Sequence, residues 1–299
     1  MVNKIGFIKS IFGEGNVVTI MGAMGSGKTD KACLFMEEAL KHGFHCHTII
    51  NFFRQDDINK AIKLGKLRSD IKYREAPPEI HVVTCLSELL PGLLEREKNI
   101  VFLDEAALFV SSTEATSKRV RMLKQLTYII RHLNSSIVFI CQSKNSLVPD
   151  LRENLVTYKI QISKKSENNR VMIVYKPVSY LNEIGEESTE FKVIDIRQNM
   201  PCSHLPYDSK FLPAFNIDTD IDTVLEAIGG LNSIQVKEKG PDIIKKLTGE
   251  EGKKEIKHYM STGEYAKEIG VHPDTVRRWI KNGKIDYTKT KGGHFRIPL

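Results

Sequence analysis

The sequence predicts an α/β fold: a mainly parallel sheet flanked by helices, with antiparallel strands at one edge, followed by a small separate unit at the C-terminus. Three observations predict it. Between residues 16 and 199, short β-rich runs alternate with helical patterns, as they do where helices connect the strands of a parallel sheet. Runs such as IVFL (100–103) and IVFI (137–140) are continuously apolar, as expected of strands covered on both faces. Beyond residue 200 the alternation stops, and the charge changes with it.

The elements follow in order. NVVTIM (16–21) reads as the first strand, with a helical pattern over 28–42 and a second strand in HCHTIINF (45–52). A charged segment of irregular pattern leads to the strand EIHVVTC (79–85), a short helical run near 86–96, and the strand NIVFLDEA (99–106). Next come a basic helix over 117–133, the strand SIVFICQS (136–143), and three late strands near 155–164, 170–178 and 191–198. Short turns such as SENN (166–169) join the late strands, so they are expected to add an antiparallel edge. Residues 1–199 are thus expected to form the first domain. Residues 200–257 hold prolines, a short helix (220–229) and a polar Gly/Lys/Glu-rich stretch, and are expected to be a linker. Residues 258–299 are expected to fold as a compact unit.

The 299 residues are 41% hydrophobic and 27% charged, an ordinary globular composition with room for one large and one small domain. The location of the charge is more informative than its total of +7. Residues 253–299 carry eleven of the 44 Lys/Arg and five of the 37 Asp/Glu, leaving 33 and 32 for the rest of the chain. A near-neutral body with a basic tail points to a polyanionic partner for the tail. The five cysteines are scattered without a CxxC pair, which fits a reducing, cytoplasmic compartment. In HGFHCHT (42–48), a strand turns His45 and His47 to one face and Cys46 to the other, so the three cannot chelate one ion. No apolar run has the length of a membrane span, and the N-terminal KIGFIKSIFGEG has no signal-peptide pattern.

GAMGSGKT (22–29) fits the spacing G-x-x-x-x-G-K-[ST] between an apolar strand and a helical pattern, the context that gives this motif its meaning. Gly22, Gly25 and Gly27 let the loop turn tightly so that its amides surround phosphate. Lys28 reaches the β- and γ-phosphates, and Thr29 ligates Mg²⁺. The implied ligand is ATP with Mg²⁺. Asp104, at the tip of the strand IVFLDEA, is placed to hold the metal, and Glu105 to act as general base toward water. Gln142 ends the next strand, where its amide can sense the γ-phosphate, orient water, or simply cap the strand. Arg131, just before that strand, and Arg152, in LVPDLREN just after it, are candidates for an arginine acting on a neighbouring subunit's nucleotide.

With IIRHLNSSIVFICQSKNSLVPDLREN (129–154) added to these motifs, residues 15–180 resemble the FtsK/HerA group of P-loop ATPases. This group includes viral genome-packaging ATPases and the Zot-like phage assembly ATPases. The resemblance implies an ATPase that forms homo-oligomers, often hexameric rings, and that pumps DNA or drives assembly.

The tail MSTGEYAKEIGVHPDTVRRWIKNGKI reads as a helix-turn-helix. Ser261 and Glu264 have capping-box spacing, and Tyr265, Ala266 and Ile269 give the first helix an apolar side. Pro273 opens the second helix, whose Val276, Trp279 and Ile280 face inward. Thr275, Arg277, Arg278 and Lys281 are then left on the surface of a recognition helix. IDYTKTKGGHFRIP should form a hairpin presenting Lys289, Lys291, His294 and Arg296 as a wing. Residues 261–298 resemble the DNA-binding domains of the MerR/excisionase type, which makes double-stranded DNA the expected partner. The whole chain is expected to be an ATP-driven DNA motor of a virus or mobile element, such as a genome-packaging translocase. An ATP-switched DNA-binding regulator or recombination accessory protein and a Zot-like virion assembly ATPase are the alternatives.

Overall fold

In the computed structural model, eight strands form one sheet in the order β3-β2-β4-β5-β1-β6-β7-β8. The structure describes residues 10–13, 15–105, 118–142, 155–166, 169–181, 187–209, 215, 221–231, 233–248, 259–261, 265–266, 271–282, 285, 288–289 and 295–298. The strands are β1 (Val17–Met21), β2 (His45–Thr48), β3 (Ile80–Val82), β4 (Asn99–Leu103), β5 (Ser136–Cys141), β6 (Tyr158–Lys164), β7 (Arg170–Leu181) and β8 (Glu187–Arg197). The helices of this part are α1 (Lys28–Leu40), α2 (Gln55–Lys63), α3 (Leu86–Glu95), α4 (Lys118–His132), α5 (Ile221–Ile228), α6 (Ser233–Glu238) and α7 (Gly240–Thr248).

Strands β1 to β6 run parallel, and β7 and β8 continue the sheet antiparallel. The sheet class is the expected one, with one correction: β6, expected in the antiparallel edge, pairs parallel to β1 with Val18 opposite Tyr158. Short connections force antiparallel pairing only where they exist, and β6 is reached from β5 by a long one. Alternate residues of the central strands sort cleanly between two cores. Val17, Val101, Leu103, Ile137 and Phe139 pack with α3 and α4, while Val18, Ile20, Ile100, Phe102, Val138 and Ile140 pack with α1. Burial on both faces is what removes polar alternation from these strands.

Two segments differ from the sequence reading. The charged stretch after β2 contains α2, which packs Ile58 and Ala61 with Leu67, Phe53 and Tyr73 in a small satellite core. The expected linker 200–257 is corrected over most of its length. Leu205 is fully buried, and Ile221, Val224 and Ile228 of α5, Val236 of α6 and Ile243 of α7 join the core under α3 and α4. The helix expected over 220–229 is present as α5; the docking of α5 to α7 was not expected, and it rests on apolar residues at helical spacing within a polar, proline-containing segment. The chain divides into two compact units, Met1–Leu247 and Thr248–Leu299. In the second, β9 (Tyr259–Ser261), β10 (Thr288–Lys289) and β11 (Phe295–Pro298) form a three-stranded sheet in the order β10-β11-β9, and the same unit contains α8 (Pro273–Lys281).

The edge of the large sheet carries a histidine cluster. His45 and His47 share one face of β2, and both rings lie against His81 of β3, with centroids 5.8 and 5.1 Å away. Cys46 points into the opposite core. Asn99 Nδ2 donates to the Arg96 carbonyl, so its Oδ1 must accept from His47 Nε2 at 3.1 Å. Burial at 1% exposure holds the His47 pKa down, from 6.5 to about 4, and His81 and Arg96 act in the same direction. His45 and His81 are also lowered by burial and Arg96, against a weaker opposing pull from Glu79. A histidine that stays neutral when folded but protonates when unfolded loses stability as pH falls from the unfolded pKa toward the folded one. Between pH 6.5 and 4, His47 should therefore cost roughly 3 kcal/mol of stability. A melting-temperature series over that range should show a steep fall that is shallower in His47→Gln. Parallel curves for the two proteins would refute the assignment.

Candidate functional site

The first functional feature is the turn from β1 into α1. Gly27 caps α1 with φ +90°, and Gly25 has φ +72°, conformations that glycine adopts without steric cost. Gly22 is needed for a different reason: a Cβ there would lie 2.3 Å from the Ile162 carbonyl oxygen and 2.6 Å from Ser26 Oγ. Lys28 is 7% exposed, and its Nζ donates to the Ala23 carbonyl at 3.2 Å, folded back across its own loop. Ser26 Oγ is buried at 3% exposure with no hydrogen-bond partner among the described residues.

The second feature lies two strands away. β5 separates β1 from β4, so the loop after β1, the end of β4 and the end of β5 line up at the carboxyl edge of the parallel strands. Open α/β sheets bind ligands at this edge. Thr29 Oγ1 donates to Asp104 Oδ2 at 2.8 Å. Burial pushes the Asp104 carboxyl up, opposed by the bonds from Thr29 and from the Glu105 amide. Glu105 has φ +48° and its amide donates to Asp104 Oδ1 at 2.8 Å. Gln142 Nε2 approaches Glu105 Oε2 at 3.5 Å. The structure thus brings together Gly22, Gly25, Gly27, Lys28, Thr29, Asp104, Glu105 and Gln142.

These residues fit a nucleoside triphosphate. The loop is shaped by two left-handed glycines at a helix N-terminus, it contains an unpartnered buried hydroxyl, and its lysine is within reach. Such a loop favours anions. A hydroxyl and one carboxylate in contact suit Mg²⁺, which takes few protein ligands and completes its shell with water and phosphate oxygens. Among the described residues no group of three or more His, Cys, Asp or Glu could hold an ion.

Arg131 is not brought to this site. Its Nε donates to the Gly15 carbonyl at 3.1 Å, just before β1 begins, so a strand length of about 16 Å separates it from the loop after β1. It helps line a groove of about 560 Å³ with Tyr128, Leu225 and Ile228, which is therefore not the nucleotide site. Arg152 lies outside the described residues.

The sequence reading missed how α1 is held. Lys31 is fully buried, and its Nζ donates to Asp30 Oδ2 at 2.6 Å and to the Pro201 carbonyl. Asp30 Oδ1 accepts from the Ser203 amide at 3.0 Å, and Glu37 accepts from the His204 amide and from Arg74. Residues 200–205 therefore strap the helix that starts at the loop. A separation of some 170 residues leaves no local signal of it.

In the second unit, α8 starts at His272, whose Nδ1 accepts from the Asp274 amide at 3.4 Å, with Pro273 in the first turn. Ala266, Val276 and Ile280 form its core with Tyr265, Val271 and Ile285. Trp279, expected to face inward, is only partly buried and lies outside that cluster as described. Arg277 and Arg278 are exposed and Thr275 is partly covered. Arg277 Nη1 donates to Asp274 Oδ1 at 2.8 Å. Lys281 closes the helix, and the expected hairpin strands are present, with Thr288 opposite Arg296 and Lys289 opposite Phe295. Ser261 ends β9, which pairs with β11. Glu264, Ile269, Lys291 and His294 lie outside the described residues. No helix among the described residues is long and apolar enough to cross a membrane.

Comparison with known proteins agrees with both features. Residues 16–197 match the family model described as zonular occludens toxin (Zot), and residues 259–299 match that of a helix-turn-helix domain. Among solved structures, the N-terminal domain of zonular occludens toxin from Neisseria meningitidis is 19% identical over 60% of this chain and 94% of its own, with a TM-score of 0.34. B204, the DNA-packaging ATPase of Sulfolobus turreted icosahedral virus, is 12% identical over 61% and 100%, at 0.36. A DnaB-like replicative helicase is 15% identical over 60% and 55%, at 0.36. No curated protein matches the sequence.

Proposed function

Since the chain belongs to the zonular occludens toxin (Zot) family and is a P-loop NTPase with a C-terminal helix-turn-helix domain, we propose that it hydrolyses ATP to translocate or package the double-stranded DNA of a virus or mobile element, and that the tail brings it to that DNA. The observation that carries this reading is the set of three strand ends at one sheet edge. There Thr29 meets Asp104 at 2.8 Å, with Glu105 and Gln142 beside them.

In this reading Thr29 and Asp104 hold Mg²⁺, which supplies positive charge to the phosphate oxygens. Lys28 exchanges the Ala23 carbonyl for phosphate. Glu105 Oε2 accepts the proton of the attacking water, and the Gln142 amide orients that carboxylate. Thr275, Arg277, Arg278 and Lys281 on α8, with the wing residues Lys289, Lys291, His294 and Arg296, contact DNA. Subunits assemble into a homo-oligomer, a ring in the motor reading, and Arg131 and Arg152 are the candidates for an arginine acting across its interface.

The test is steady-state ATP hydrolysis with and without long double-stranded DNA at fixed low salt, with Lys28→Ala as the blank. Stimulation by DNA that disappears in Lys28→Ala is the expected result. Slow hydrolysis indifferent to DNA would sink the motor and leave ATP as the assembly switch of a DNA-bound regulator.

A further inference from the structure

The structure assigns a second cation to the phosphate loop: we propose that Arg170 binds the polyphosphate of the nucleotide from within the same chain. This inference rests on the nucleotide reading above and adds a residue outside the P-loop and Asp-Glu motifs.

Strand register explains how Arg170 gets there. β6 pairs with β1 only as far as Gln161, opposite Met21, and then continues to Lys164. Those three further residues advance about 10 Å, alongside the loop that β1 enters. Arg170 opens β7 directly opposite Lys164, so the antiparallel turn returns the chain beside the loop. The guanidinium lies against Gly27: a Cβ built there would be 3.2 Å from Arg170 Nε and 3.7 Å from Cδ. Gly27 therefore serves twice, once for its left-handed φ and once to admit the arginine.

The side chain is held in place. Nη1 donates to the Ser166 carbonyl at 2.7 Å, and the Arg170 carbonyl accepts from the Met200 amide at 3.3 Å, where the strap over α1 begins. A guanidinium next to the N-terminus of α1 adds its charge to the positive potential of that helix end, where a phosphate group is favoured. The ligand chemistry this selects is a di- or triphosphate.

The experiment measures binding of ATP, ADP and AMP to the full chain by calorimetry at several salt concentrations, for wild type, Lys28→Ala, Arg170→Ala, Arg170→Lys and Arg170→Gln. Arg170→Ala should weaken ATP and ADP binding by roughly tenfold or more, as expected for loss of a charge-assisted hydrogen bond. AMP should be affected less. The dependence of log Kd on log salt should become shallower, a change that a merely structural latch on Ser166 would not produce. If Arg170→Ala does not fold, the comparison of Lys with Gln decides: retention by Lys and loss by Gln supports the proposal. Binding and salt dependence within about twofold of wild type, or equal behaviour of Lys and Gln, would overturn it while the nucleotide reading stands. Failure of wild type itself to bind ATP would remove both.

Discussion

Replacing Glu105 by Gln is expected to lower the rate of ATP hydrolysis by roughly two to four orders of magnitude, with nucleotide affinity unchanged. The substitution is close to isosteric, keeps the backbone amide that donates to Asp104 Oδ1 at 2.8 Å, and removes only the ability to take a proton. The backbone shows why this position is a good choice. Glu105 has φ +48°, a left-handed conformation that costs a non-glycine residue roughly 1–2 kcal/mol. Strain of this kind persists where surrounding contacts impose it, and such positions cluster at functional sites. Here Asp104 holds the amide, and Gln142 lies 3.5 Å from the carboxylate. Nucleotide titration and single-turnover hydrolysis on the same preparations separate binding from chemistry. A kcat within about tenfold of wild type would remove Glu105 as the base.

What the sequence revealed and what it hid divide along a physical line. The phosphate loop, the Asp104–Glu105 pair and helix α8 of the helix-turn-helix domain are each determined within about ten consecutive residues, so spacing and turn chemistry are enough to locate them. Continuous apolar runs likewise announced strands buried on both sides. Arg131 bonds the Gly15 carbonyl at the far end of β1 from the loop, which leaves it a candidate only toward a neighbouring subunit's nucleotide, the role in which the sequence offers it. Arg170 and the Lys31–Pro201 contact arise from pairing between distant segments, and no local pattern encodes them. The helix over 220–229 is legible in the sequence and appears as α5, whereas its docking, and α6 and α7, are not, because they lie in a polar, charged stretch. Ile221, Val224, Ile228, Val236 and Ile243 are buried in the core, and Leu225, Ala227, Ile244 and Leu247 pack against it.

In the second unit, Arg278→Ala is expected to weaken binding to mixed-sequence double-stranded DNA by roughly tenfold at about 0.1 M salt, and to lower the slope of log K against log salt by about 1. Arg277→Ala should do less, for a reason visible in the structure. Arg277 already donates to Asp274 at 2.8 Å, with both side chains more than half exposed. Moving it to a phosphate exchanges one partner for another and leaves Asp274 facing the polyanion. Asp274→Asn should therefore tighten binding, because it frees Arg277 and removes a negative charge from the same face. The double variant Arg277→Ala/Arg278→Ala should lose more slope than Arg278→Ala alone but less than about two units. The folded state provides the control, since neither arginine belongs to the core of Ala266, Val276 and Ile280 and melting should hardly change. Anisotropy titrations across a salt series give affinity and slope together. Slopes identical to wild type would take α8 off the DNA and leave the helix-turn-helix as a protein-contact module, whereas the expected pattern fixes α8 as the surface through which the ATPase meets its DNA.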